Sequence, residues 1–299
     1  MKIYLNGQIL PADQAHVSVE DAGLQHAVGL FETMAAHHGR VFRLDAHLDR
    51  LKNSARELGL AADMQTQPLA KAIEQTLEAN QLQHARLRLT VTAGTLSMLK
   101  QADGTPAAQV RQTVAIVPSE PTVFDPAYFE RGITVSIYGQ GANPFDVAAG
   151  HKTLNYWGRL RSLRQAAAAG CSETIWLNVT NHLASGAVSN VFLVKDGRLL
   201  TPIARGEEEQ GALPAPVLPG TTRAVVIERA QSLGLAVERR MLSVEDLLGA
   251  DEVFLTNANW RVLPVTAVEK KTIADGKPGI VTGKLREAVL GLIEQETTA

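Results

Sequence analysis

A chain of 299 residues with 45% hydrophobic and 20% charged side chains has the make-up of an ordinary globular protein, with room for two domains of roughly 100–200 residues each. Its formal charge of −2 argues against nucleic acid or an anionic membrane as partner. Cys171 is the only cysteine, which excludes an internal disulfide; no apolar run reaches membrane-spanning length and the polar start "MKIYLNGQIL" is no secretion signal, so a cytoplasmic protein is predicted.

In chain order, "KIYLNGQIL" and "GLFETMAAHHGRVFRL" each place a turn signal between strand-like runs, Asn6-Gly7 in the first and His37-His38-Gly39 in the second. "DAHLDRLKNSARELGL" predicts a helix capped by Asp45, with Leu48, Leu51, Ala55 and Leu58 forming one buried stripe. Residues 67–81 repeat the helical pattern, and "ARLRLTVTAG" and "QTVAIVP" read as strands. The proline-rich segment around 121–131 is taken as a linker between a domain of residues 1–120 and one of 132–299. Beyond it, "ITVSIYG" predicts a strand, and 153–169 a helix with Leu154, Trp157, Leu160 and Leu163 inward. "ETIWLNV" and the two halves of "SNVFLVKDGRLLTP", hinged on Asp196-Gly197, are strands. A helix over 221–234, a strand over 252–256 and a helix near 282–295 complete the pattern. Two mixed α/β domains with a small-molecule cleft between them are expected.

Four stretches carry candidate chemistry. Lys152, in "AAGHKTLNYWGRL", falls at the start of the helix expected over 153–169. The positive end of the helix dipole and partial burial would both favour a neutral amine, the nucleophile that forms a Schiff base with an aldehyde. Gly220, Thr221 and Thr222, in "LPGTTRAVV", open a helix whose free N–H groups suit a phosphate. Asn257, Ala258 and Asn259 follow a strand end and offer further donors, and Arg50 lies off the apolar stripe of its helix with a fork that fits a phosphate. Singly, each has an ordinary reading as a solvated charge, a helix cap or a polar turn. No histidine pair has the spacing of a zinc helix, and no metal site is expected. Neither a Gly-x-Ser-x-Gly elbow, a P-loop nor a Gly-x-Gly-x-x-Gly after a strand is present.

The order and spacing of "YLNG", "GLFETM", "VFRLDAHLDRLKNSARELGL", "HKTLNY", "SNVFLVKDGRLLTP", "LPGTTR", "ADEVFLTN", "VLPV" and "GKPGIVT" resemble the class IV (fold-type IV) pyridoxal-phosphate enzymes: branched-chain and D-amino acid aminotransferases, and aminodeoxychorismate lyase. The resemblance implies a small N-terminal α/β domain, a larger C-terminal mixed α/β domain with the cofactor in the cleft, and a homodimer. It makes Lys152 the lysine that holds pyridoxal 5′-phosphate and shuttles the substrate's α-proton. Arg50, Gly220, Thr221, Thr222 and the Asn257–Ala258–Asn259 turn become the phosphate cup, and Tyr156 an aromatic near the ring.

One position departs from the family. Where it carries a glutamate that keeps the ring nitrogen protonated, "LASGAVSNVF" carries Ser185, which supplies no negative charge; slow or altered chemistry is expected. His182 is close by in sequence. The subgroup is mixed. "KTLNY" has the spacing of the lyase and D-amino acid members, "TNANWRVLPV" looks more like the lyase, and Thr33 stands where the lyase has a threonine near its lysine. The arginine that lyase and D-amino acid enzymes use on the substrate carboxylate aligns with Met98. Arg88 matches a carboxylate anchor of branched-chain enzymes, and His26 stands at their substrate-facing tyrosine. Three readings follow: an aminotransferase between an amino acid and a 2-oxo acid, an aminodeoxychorismate lyase releasing pyruvate and 4-aminobenzoate, or a cofactor-binding protein with little catalysis. Trp157 and Trp260 fit an interface as well as a core.

Overall fold

The computed structural model describes residues 1–95 and 112–298. It divides into two compact units. One comprises Met1–Thr122 with Lys152–Asn155 and the end of the last helix; the other comprises Val123–His151 and Tyr156–Gln295.

The first unit holds β1 (Lys2–Leu5), β2 (Gln8–Pro11), α1 (Ala22–His26), β3 (Gly29–His37), β4 (Arg40–Val41), α2 (Leu44–Glu57), α3 (Thr66–Asn80), β5 (Ala85–Thr92) and β6 (Val114–Ser119). The six strands form one antiparallel sheet in the order β2-β1-β6-β5-β3-β4. Both hairpin turns use two left-handed residues, Asn6 (φ 49°) with Gly7 (φ 94°) and His38 (φ 50°) with Gly39 (φ 74°), a pairing that matches the twist of the flanking strands. One sheet face packs on the helices: Leu30, Met34 and Ala36 of β3 join Leu48, Leu51 and Ala55 of α2 and Ile73 and Leu77 of α3 in a single core. Each fully buried leucine there contributes about 1.5–3 kcal/mol. By alternation, Phe31 and Thr33 of β3 and Arg88 of β5 stand on the opposite face. Asp45 is not the cap of α2. Arg43 holds that position in a left-handed conformation (φ 53°) without a side-chain bond, and Asp45 lies in the first turn, where its charge still complements the dipole.

The second unit holds α4 (Ala127–Glu130), β7 (Ile133–Ala142), α5 (Trp157–Ala168), β8 (Glu173–Asn178), β9 (Leu183–Gly186), β10 (Asn190–Lys195), β11 (Arg198–Thr201), α6 (Thr221–Ser232), β12 (Ala236–Arg239), α7 (Val244–Leu248), β13 (Glu252–Asn257), β14 (Arg261–Val268), β15 (Lys271–Thr272) and most of α8 (Ile280–Thr298). Its mixed sheet runs β12-β11-β10-β13-β14-β7-β8-β9, with β15 on β14. Val135, Ile175, Val191, Leu193, Val253, Leu255, Leu263 and Val265 build the core on one face. On neighbouring strands Phe192 and Phe254 stack with centroids 5.0 Å apart. Pro264 is tolerated inside this sheet because β7 pairs with β14 only from Val265 onward, so the edge where its N–H is missing is not yet occupied.

The helix expected from 153 begins at Trp157, with Tyr156 at its N-cap. The inward stripe is also different: Trp157 is 78% exposed and Leu160 51%, while Ser162 and Ala166 are buried. Lys152 therefore lies outside the helix, beyond the reach of a dipole effect confined to the first turn. No helix among the described residues is long and apolar enough to cross a membrane.

Candidate active site

Lys152 owes its place to the edge of β3. The Phe31 amide donates to the Lys152 carbonyl at 2.9 Å, the Leu154 amide donates to the Gly29 carbonyl at 2.9 Å, and Thr153 bridges Leu30 in antiparallel register. Residues 152–154 thus act as a short extra strand. The fit needs glycine at 29, since a Cβ there would lie 2.7 Å from Leu154 Cδ1 and 2.7 Å from the Val91 carbonyl oxygen. The lysine side chain runs over Phe31, with Nζ 4.4 Å from the ring centroid, and the Arg88 guanidinium lies 3.8 Å from the same centroid. Thr33 sits directly across from Arg88 in the β3–β5 register. His26 is an exposed residue at the end of α1, and Met98 lies outside the described residues.

On the helix side of β3, Glu32 faces α2. Arg50 Nε donates to its Oε1 at 2.9 Å and Arg50 Nη2 to its Oε2 at 2.5 Å, while His47 Nδ1 lies 2.8 Å from Oε2. Burial alone would raise the Glu32 pKa, but the charge of Arg50 and the bond from His47 outweigh it and hold the carboxyl at about 2. Burial lowers the His47 pKa, and Arg50 and Lys152 add to this against the pull of Glu32; neutral His47 then carries its proton on Nδ1 and donates to the carboxylate. Arg50 is consequently gripped at two points with its fork fixed.

In the second unit, α6 opens at Gly220 and Thr221 with no side-chain cap. Gly220 packs so closely that a Cβ would fall 2.0 Å from Asn190 Oδ1. Asn190 is the register partner of Thr256, whose fully buried hydroxyl finds no hydrogen-bond partner. Asn257 Oδ1 accepts the amides of Asn259 (2.9 Å) and Trp260 (3.1 Å), so the expected Asn259 donor is spent inside its own turn; the Ala258 amide is not engaged by Asn257. Arg261 folds back onto the carbonyls of Ala258 and Asn259, and burial, with Arg286 nearby, pulls its guanidinium down to about 10. An uncapped helix start beside an orphaned hydroxyl fits a phosphate group.

Ser185, on β9, is 3% exposed and pairs with Trp176. Its neighbour is a cation: Arg159 Nη1 lies 3.5 Å from Ser185 Oγ and donates to the carbonyls of Gly186 (3.2 Å) and Ala187 (2.8 Å). The same guanidinium stands 5.9 Å from the Tyr156 ring centroid. The nearby carboxylate, buried Glu173, is occupied by the amides of Thr174, Ala187 and Val188 and the Ser189 hydroxyl. Burial raises its pKa despite those bonds. His182 meets Thr180 Oγ1 at 3.0 Å in the preceding turn. Among the described residues, no cluster of three or more His, Cys, Asp or Glu could hold a metal ion.

A family model, amino-transferase class IV, matches residues 29–268. The chain belongs to the class IV aminotransferases. It is 33% identical over 289 residues to a putative branched-chain-amino-acid aminotransferase of Methanocaldococcus jannaschii, covering 96% of this chain and 94% of that one. Its structure is similar to that of the Escherichia coli branched-chain amino acid aminotransferase, with a TM-score of 0.87 at 28% identity over 99% and 95% of the two chains. It is also similar to 4-amino-4-deoxychorismate lyase from Pseudomonas aeruginosa, with a TM-score of 0.79 at 27% identity over 97% and 98%.

Five residues of this class IV aminotransferase are not marked by the sequence motifs: Phe31, Glu32, His47, Arg159 and Glu173. Glu32 did leave a signal, an acid at a core-facing position of an apolar strand, which demands a buried cation. Glu173 in "ETIWLNV" left the same signal of a buried acid, met here by main-chain amides and the Ser189 hydroxyl in place of a cation. Arg159 left none, because its carbonyl partners, Gly186 and Ala187, lie 27 and 28 residues away.

Proposed function

We propose that this enzyme moves an amino group between an amino acid and a 2-oxo acid with pyridoxal 5′-phosphate as cofactor and Lys152 as base and acid. When bound, the cofactor supplies an aldehyde for amines to condense with and a ring that draws electrons from the bond being broken. Lys152 provides the amine for that aldehyde, then takes the proton from the substrate's α-carbon and returns it. Arg50, oriented by Glu32, the uncapped start of α6 at Gly220, Thr221 and Thr222, and the Ala258 amide hold the phosphate, with Asn257 and Asn259 shaping their turn. Tyr156 flanks the ring. Ser185, with the Arg159 guanidinium beside it, would offer the ring nitrogen no negative charge, and slow or altered chemistry is expected. Arg88 anchors a substrate carboxylate, and His26 lines the substrate side.

The observation that carries this reading is that Lys152 Nζ and the Arg88 guanidinium lie over one Phe31 ring. A base and a carboxylate anchor that share one ring suit a substrate presenting an α-carbon beside a carboxylate. The relatives make branched-chain amino acids the first donors to assay, with 2-oxoglutarate or pyruvate as acceptor. Borohydride reduction followed by peptide mapping should place a pyridoxyl group on Lys152, and Lys152→Ala should abolish amino transfer. A pyridoxyl group elsewhere would refute the assignment.

A lyase activity is the second reading, favoured by Thr33 lying opposite Arg88 on the face that carries Phe31. Release of pyruvate from aminodeoxychorismate, lost in Thr33→Ala, would decide for it. A cytoplasmic homodimer is the expected assembly, and light scattering of the purified protein tests its size.

A further inference from the structure

Phe31 is 4% exposed, and its ring is shared by two cations, Lys152 Nζ at 4.4 Å and Arg88 Cζ at 3.8 Å from the centroid. The same residue's amide holds the Lys152 carbonyl at 2.9 Å. Phe31 therefore grips Lys152 by main chain and by side chain at once.

We propose that Phe31 is a positioning residue whose ring seats the Lys152 amine and the Arg88 guanidinium at a fixed separation, setting the spacing between the base and the carboxylate anchor. This rests on the roles given to Lys152 and Arg88 above. The negative face of an aromatic ring attracts a cation, and the attraction grows where water is excluded, as around this buried ring. A flexible four-carbon stem and a three-carbon stem have many rotamers in solution. A common aromatic surface restricts both, and restricts them relative to each other. An aliphatic side chain of similar size would fill the space and lack the quadrupole.

That difference supplies the test. The full chain is prepared with 4-fluoro-, 3,5-difluoro- and pentafluorophenylalanine at position 31, which draw electron density from the ring face with little change in volume. Two quantities are measured: the rate at which added pyridoxal phosphate becomes borohydride-trapped on Lys152, and the KM for the 2-oxo acid. The loading rate should fall and the KM rise stepwise along the series, by about tenfold at its end, with the melting temperature of the cofactor-free protein unchanged. Phe31→Leu should reproduce the end of the series and Phe31→Tyr the unsubstituted protein. A flat series in both quantities, with normal labelling of Lys152, overturns the proposal alone. Absence of label at Lys152 in the unsubstituted protein overturns the reading of the lysine, and this proposal with it.

Discussion

Glu32 and Arg50 meet inside the first unit at two points, Nε to Oε1 at 2.9 Å and Nη2 to Oε2 at 2.5 Å, with the carboxylate side chain 1% exposed. Replacing one partner strands the other as a buried charge. Glu32→Gln should cost about 3–5 kcal/mol in denaturant unfolding. It should also weaken pyridoxal phosphate binding, because the guanidinium proposed to hold the phosphate loses its orientation. Unchanged unfolding would mean that water already compensates Arg50.

The same pair predicts an acid limit. The folded Glu32 carboxyl sits at about 2 against 4.5 for a free glutamate, so its stabilising contribution is complete above the unfolded value and is lost as pH falls through the folded one. His47 acts in the same direction. Its folded pKa lies below 6.5, so neutral His47 favours the fold above that value and loses this advantage as pH drops. Urea midpoints measured from pH 7 downward should decline below about 6 and steeply between about 4.5 and 2. Glu32→Gln should flatten the lower part of that curve.

Gly29→Ala tests the seat of Lys152. A Cβ at 29 lies 2.7 Å from both Leu154 Cδ1 and the Val91 carbonyl oxygen, so either the 152–154 segment or the β3–β5 pairing must give way. The segment is held by few bonds and should move. Amino transfer should fall by at least about tenfold, with a stability loss of about 1–3 kcal/mol. A variant with intact kinetics would show that the lysine does not depend on this edge.

Gly220→Ala addresses the proposed phosphate site. The added methyl would overlap Asn190 Oδ1 at 2.0 Å, which pushes the start of α6 away from the Thr256 end of β13. Affinity for pyridoxal phosphate should fall more than affinity for pyridoxal, a selectivity that equilibrium titration with the two compounds reads directly.

Much of the fold was legible because its signals are local. Asn6-Gly7 and Asp196-Gly197 turn where the chain has two left-handed residues in succession, and the leucines of α2 mark its buried stripe. What failed was decided at long range. Residues 153–156 carry helical spacing but stay out of the helix, and 152–154 pair with β3 instead, an edge supplied by residues more than 120 positions earlier. β9, β12 and β14 left weak patterns, the last because Pro264 interrupts it. At the site, residue types pointed to Lys152 and Arg50, and Glu32 left the signal of an acid on a core face, whereas the roles of Phe31 and His47 are visible only once the strand and helix are packed together.

Alternation along β3 gives the strand two unlike jobs. Even-numbered Glu32 fastens an anion-seeking guanidinium on one side, and odd-numbered Phe31 cradles an amine on the other. Loss or gain of one residue between 29 and 32 would swap these faces, burying an aromatic ring against α2 and presenting an acid to the lysine. Length variation in this family member should therefore be tolerated at the His38-Gly39 hairpin tip and forbidden in the four residues that open β3.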